Sequence, residues 1–170
     1  GKINLVFDYR KLLNNNRQFQ ARIYLGKFMW NDRKFNNFNY NLGRSGGYLF
    51  LDNYLGRSEK TGLLSQQFIM AGGGFKSFFE DPTSNNFMLT SNLNIGLWKW
   101  LEGYLDLGIL KNKDQESRYF YGTGLRLNLL PDFFELYFPL TSTNGIEVSD
   151  NSYHEKIRFI ISYNLESIGN

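Results

Sequence analysis

The residues that could do chemistry gather in two sets. The first surrounds the chain's one histidine: Ser149, Ser152, His154 and Glu155. Hydroxyl, imidazole and carboxylate are the groups from which a nucleophile and its base are assembled. No spacing among these four marks a triad, and serine is common in loops. His154-Glu155 also opens like the zinc-peptidase pattern His-Glu-x-x-His. The residue that should be the second histidine is Arg158, and the stretch reads as a strand rather than a helix. Zinc needs three or four converging ligands, so a histidine at a loop end is the better reading. No catalytic residue, metal ligand or cofactor is therefore expected.

The second set is Asp8, Arg22, Glu102, Asp106, Arg126, Glu135 and Arg158. Each sits mid-way along the polar side of an alternating segment. Charges of both signs in a crowded interior neutralise one another, where an unpaired one would cost several kcal/mol. Tyr24, Tyr104, Phe120 and Tyr137 share that side. So do Gly96, Gly108, Gly122 and Gly124, which make room for long neighbours. Gly72-Gly73-Gly74 lacks the Lys-Ser/Thr of a phosphate loop; it marks a bend or the close approach of a plug.

The elements that carry these residues are strands. From Phe87 onward apolar residues recur at every second position. Phe87, Leu89, Leu93 and Ile95 oppose Met88, Thr90, Asn92 and Asn94. Leu105, Leu107 and Ile109 oppose Tyr104, Asp106 and Gly108. Side chains of a strand point alternately to the two faces, so each segment has an apolar and a polar side. Eight segments read this way: 2–10, 18–30, 63–75, 87–97, 101–110, 118–129, 133–140 and 155–165. Alternation weakens in 63–75 and slips near Gly26-Lys27-Phe28, as at a bulge. The stretch 31–62 is expected to add two short strands (around Phe35 to Leu42 and Tyr48 to Tyr54) or a helix at the rim or in the lumen. Each strand is about ten residues long, the length that crosses a bilayer at a tilt.

The expected fold is all-β: one domain over residues 1–170, an antiparallel up-and-down transmembrane β-barrel of eight strands, or ten if 31–62 contributes two. Short turns at 98–100 and 130–132 then face the periplasm. The loops 11–17, 76–86, 111–117 and 141–154 face outward, and both termini are periplasmic. Tyr9, Trp30, Trp98, Trp100, Tyr119, Tyr121 and Tyr163 stand at strand ends, where aromatic girdles belong. A soluble lipocalin-like carrier has similar length, with the apolar sides turned inward.

Bulk properties agree. Net charge is +3 with 21% charged residues, which gives no argument for nucleic acid. There is no cysteine, so thiol chemistry and disulfides are excluded. No run of apolar residues reaches the length of a transmembrane helix, and a mean hydropathy of -0.41 suits a polar-lined barrel. The start at Gly1 is that of a mature or truncated piece.

Several phrases resemble a known family. They are Asn53-Tyr-Leu-Gly-Arg-Ser-Glu, Gly62-Leu-Leu-Ser-Gln-Gln-Phe, Gly73-Gly-Phe-Lys, Leu136-Tyr-Phe-Pro-Leu and Tyr153-His-Glu-Lys-Ile-Arg-Phe. Together they look like the C-terminal region of large zinc aminopeptidase-like (gluzincin) proteins of Gram-negative bacteria. The resemblance implies a barrel-like tail whose zinc domain lies upstream. None of the matching positions belongs to the zinc motif, so no catalytic residue carries over. The expected function is a non-catalytic outer-membrane β-barrel, an anchor for a periplasmic peptidase-like domain or an accessory subunit of a complex. Its partners are outer-membrane lipid and that domain or complex. An outer-membrane lipid-modifying enzyme using His154 is the second reading, and the soluble small-ligand carrier the third.

Overall fold

Alternating apolar and polar residues leave a strand little choice of how to face, and the chain obeys that pattern over most of its length. The computed structural model describes residues 1–13, 17–30, 39–43, 62–70, 72–130 and 133–161. In chain order the strands are β1 (Lys2–Leu12), β2 (Gln18–Phe28), β3 (Tyr40–Asn41), β4 (Thr83–Ser84), β5 (Phe87–Gly96), β6 (Leu101–Lys111), β7 (Ser117–Leu130), β8 (Phe134–Ser142), β9 (Gly145–Ile146) and β10 (Arg158–Ile161). One four-residue helix, α1 (Tyr153–Lys156), precedes β10.

The protein is all-β. Its main sheet has eight strands, ordered β1-β2-β5-β6-β7-β8-β10 with the short β9 beside β8. Every pairing in it is antiparallel. β3 and β4 form a separate two-stranded ribbon. Connections 13–17, 97–100 and 131–133 fall at one end of the sheet, and 29–86, 112–116 and 143–157 at the other. The connection 13–17 thus joins the tight turns. Gly1 stands at the end of the long connections, while β10 runs toward the tight ones.

The sheet is curled. Gln20 on β2 and Arg126 on β7 are hydrogen-bonded at 2.9 Å although β5 and β6 lie between their strands. The polar sides of the strands form the inner wall: Met88, Thr90, Asn92, Asn94, Glu102, Tyr104, Asp106 and Arg126 are all buried. The apolar sides face out. Phe7 is 60% exposed, Ile95 51% and Leu107 44%.

Three expectations change. Residues 63–75 are not a wall strand. Leu63–Gln66 is a 3-10 turn, and among the described residues up to Phe75 the strand pairing is one bridge from Gln67 to Phe159. β2 pairs directly with β5, and of the residues between them the described ones fold in part into the concave side. The weak alternation has its reason here: Phe68, Phe75, Lys76 and Phe79 are all buried, which a two-faced wall strand would not allow. Second, the stretch 155–165 begins as helix α1, and its strand starts only at Arg158; residues 162–165 lie outside the described residues. Third, Gly26-Lys27-Phe28 holds no bulge, since pairing with β1 runs unbroken from Lys2 opposite Phe28 to Leu12 opposite Gln18. The inner face simply turns aromatic there, because Phe28 packs on Tyr40 at 4.6 Å between ring centres. The irregular registers lie instead between β7 and β8. Among the described residues β1 and β10 do not pair. Of the extra strands expected in 31–62, the described part is β3; Phe35, Phe38 and Tyr48 to Tyr54 lie outside the described residues.

Candidate functional site: the filled interior

The segment that enters the concave side brings one lysine with it. Lys76 Nζ lies 2.7 Å from Asp106 Oδ1, and both side chains are fully buried. The same aspartate takes the Lys76 backbone N–H at 3.2 Å and Asn92 Nδ2 at 3.0 Å. Rings of Tyr104, Tyr137 and Phe68 surround the ammonium at 5.2, 5.6 and 5.9 Å, within cation–π range. Burial lowers the Lys76 pKa, and the adjoining carboxylate opposes that shift.

The glycine run explains how the lysine gets there. Gly72 and Gly74 hold φ of 53° and 69°, the left-handed region glycine visits freely. Asn92 Nδ2 donates to the Gly73 and Gly74 carbonyls at 3.1 Å each, and Arg22 Nη1 to the Gly72 carbonyl at 2.9 Å. On the wall, Gly108 accommodates the Phe75 ring; a Cβ there would stand 2.9 Å from it. The run is therefore a close approach of this connecting segment to the concave face of the sheet.

A second ionic centre lies on the wall itself. Arg126 Nη1 meets Glu102 Oε2 at 2.7 Å, and its Nε and Nη2 grip the two oxygens of Glu135. Tyr137 donates its hydroxyl to Glu135 at 2.6 Å, and Gln18 donates to Glu102 at 2.6 Å. Arg126 also reaches Gln20, which Asn94 contacts at 3.2 Å. A guanidinium held by two carboxylates with every oxygen hydrogen-bonded is the geometry that makes a buried ion group tolerable.

The seven charges expected to share one network are thus divided. Glu102, Arg126 and Glu135 form one cluster, and Asp106 joins Lys76 instead. Arg22 donates to the Gly72 carbonyl and to Asn92 Oδ1 and stands 3.8 Å from Asp8, whose side chain is 68% exposed. Arg158 donates to the backbone carbonyls of Lys76 and Ser65 at 3.3 and 3.1 Å. Sequence reasoning missed Lys76, Asn92, Gln18 and Gln20. A signal for Lys76 existed in the charge count: the expected set holds four carboxylates against three guanidiniums, one cation short. Of the four aromatic residues expected inside, Tyr24, Tyr104 and Tyr137 are buried and Phe120 packs against the core.

The serine–histidine set does not assemble. Ser149 Oγ donates to the Ile146 carbonyl at 3.0 Å and Ser152 Oγ to Asp150 at 2.8 Å. His154 sits on exposed α1, where its carbonyl accepts from Gln66. Asp150 is held far below the usual carboxylate range by Lys156 and by the Ser152 amide and hydroxyl. Among the described residues no three His, Cys, Asp or Glu side chains converge as a metal would require.

The aromatic residues at strand ends are exposed and fall in two belts. Trp98 and Trp100 lie at the tight-turn end and Trp30 and Tyr119 toward the other, whereas Tyr9 and Tyr121, expected at strand ends, stand near mid-strand at the levels of Leu105 and Leu107. Tyr163 lies outside the described residues. Eight residues of β6 separate the positions opposite Leu127 and Tyr119. At ~3.4 Å per residue and a tilt of about 40°, that is ~21 Å of height. Comparison with protein families, with curated proteins and with solved structures found no match.

Proposed function

We propose that this chain is a non-catalytic outer-membrane β-barrel whose lumen is closed by its own plug, and that it anchors or accompanies a peptidase-like partner domain. The observation that carries the membrane half is the inverted burial. Asp106 is fully buried and ion-paired, while Leu107 beside it is 44% exposed. In water each exposed Phe, Leu or Ile forgoes about 1.5–3 kcal/mol that burial would return. In a bilayer the same side chains meet lipid, and the two aromatic belts fall about one apolar band apart. The filled interior supports a structural role over a conducting one, because Phe75, Lys76, Phe79, Tyr40 and Leu42 occupy the space a channel would need.

The peptidase-like partner rests on the resemblance in the phrases quoted above; with the tight turns assigned to the periplasmic side by their shortness, Gly1 stands at the opposite, outer end, so a partner joined upstream of Gly1 lies outside and not in the periplasm as expected. The test is fractionation of the chain exported in a Gram-negative host. The proposal expects recovery with the outer membrane, dependence on detergent for monodispersity, and no conductance above background in a planar bilayer. A chain that stays monodisperse without detergent would instead be a soluble sheet, and its ligand would be sought in the interior.

A further inference from the structure

The outward side of the wall carries charge of one sign. On β1, β2, β5, β6 and β7 the charged residues at outward positions are Lys11, Lys27 and Lys111. The carboxylates of the wall strands, Asp8, Glu102, Asp106 and Glu135, all take inward positions. A sheet facing water interleaves both signs. An outer surface that keeps cations and turns every wall carboxylate inward is matched to an anionic surrounding.

Two of these lysines share one level. Lys27 stands opposite Phe87, and Phe87 opposite Lys111. The two are therefore two strand intervals apart, ~10 Å, on either side of Phe87. Both are exposed. Lys27 Nζ donates to Asn86 Oδ1 at 2.6 Å, which draws its ammonium onto the end of β5, on the side of Lys111. Among the described residues neither lysine is ion-paired with a carboxylate. The next level inward holds Leu25, Leu89, Ile109 and Tyr119, and the one after it Ile23, Ser91, Leu107 and Tyr121. Lys27 and Lys111 thus stand at the rim of the apolar band, at the end of the long connections.

A lysine at the rim of an apolar band holds its ammonium at headgroup depth. The anions at that depth are lipid phosphates. A lysine is a point charge on a flexible four-carbon stem, so two on one level converge on one group between them. We infer that Lys27 and Lys111 clamp the phosphate-monoester headgroup of one anionic lipid, whose acyl chains run down over Leu25, Leu89 and Ile109. A monoester dianion balances both ammoniums, where a diester leaves one of them uncompensated. The inference rests on the outer-membrane reading above and names a lipid partner for that surface.

The test is native mass spectrometry of the 170-residue chain released from detergent micelles. The micelles carry equal amounts of phosphatidic acid and phosphatidylcholine with the same acyl chains. A basic residue at a lipid surface is worth about fivefold in binding, so the pair is worth roughly thirtyfold. Chains retaining one lipid are expected to hold phosphatidic acid over phosphatidylcholine by at least tenfold. Lys27→Gln with Lys111→Gln should bring that ratio close to one. Lys27→Arg with Lys111→Arg should keep it, as should Lys11→Gln at the other end of the wall. All three sites are exposed, so the substitutions leave the interior intact. The inference is overturned if the glutamine pair keeps the wild-type ratio, or if Lys11→Gln abolishes it as fully. Retention of both lipids without preference overturns the clamp and leaves the membrane reading standing. A chain that is monodisperse without detergent and retains neither lipid overturns both.

Discussion

Replacing Lys76 with methionine tests the interior most sharply. At 2.7 Å the Lys76–Asp106 attraction is about 6 kcal/mol with an effective dielectric constant near 20. Taking two ions out of water costs several kcal/mol each, so the intact pair is close to neutral overall. The single substitution removes the attraction and keeps the cost of Asp106, which is fully buried and left with the Asn92 amide and a backbone N–H. Lys76→Met should therefore destabilise by about 3–5 kcal/mol. For a chain of this size that lowers the melting temperature by roughly 6–20 °C. Adding Asp106→Leu removes the stranded charge and should recover most of the loss, since apolar replacements of buried pairs are often neutral or better. The assay is urea and thermal unfolding in detergent of the wild type, both single variants and the double. The reasoning is refuted if Lys76→Met stays within 1 kcal/mol of wild type, or if the double variant is no more stable than the single.

Other expectations follow from the same geometry. Arg126→Met strands Glu102 and Glu135 together and should cost about 3–5 kcal/mol, whereas Asp8→Asn, at an exposed carboxylate, should change the urea midpoint by less than the equivalent of about 1 kcal/mol. Gly74→Ala should destabilise more than Gly62→Ala. Both have positive φ and share the backbone penalty of roughly 1–2 kcal/mol, but a Cβ at Gly74 would stand 2.6 Å from Asn92 Oδ1 while nothing lies within 4 Å at Gly62. The Asp150 carboxyl, held below its ordinary value of 3.8, stabilises the folded state above that pH and loses its contribution as pH falls below it. Amide protection in 143–157 should thus be flat from pH 7 to about 4.5 and fall in stronger acid; a loss centred near neutrality would contradict the assignment.

The wall strands were legible because each has two unlike faces: the alternation of Leu105, Leu107 and Ile109 against Tyr104, Asp106 and Gly108 survives in β6 residue for residue. The plug was not legible as such, because Phe68, Phe75 and Phe79 are spaced like a poor strand and nothing local says that both their sides are covered. Only the glycine run at 72–74 carried a trace of it. The ionic centres were half visible. Mid-strand charges marked Glu102, Arg126 and Glu135 correctly as inward residues, but partner choice depends on a lysine delivered by a connection, which no periodicity announces. The count of eight strands in the sheet agrees with the expectation, but its membership differs: the short β9 beside β8 belongs to it and 63–75 does not.

The inverted sheet itself is tested most directly at two positions of β6 on opposite faces in this cysteine-free chain. A cysteine at Leu107 carrying an environment-sensitive dye, in proteoliposomes, should emit as in hydrocarbon and be quenched by lipid-borne quenchers but not by aqueous iodide. A cysteine at Leu110, buried on the inner face, should resist labelling until the protein is unfolded. Efficient iodide quenching at Leu107, with the protein dispersed in buffer without detergent, would contradict a lipid-facing outer surface.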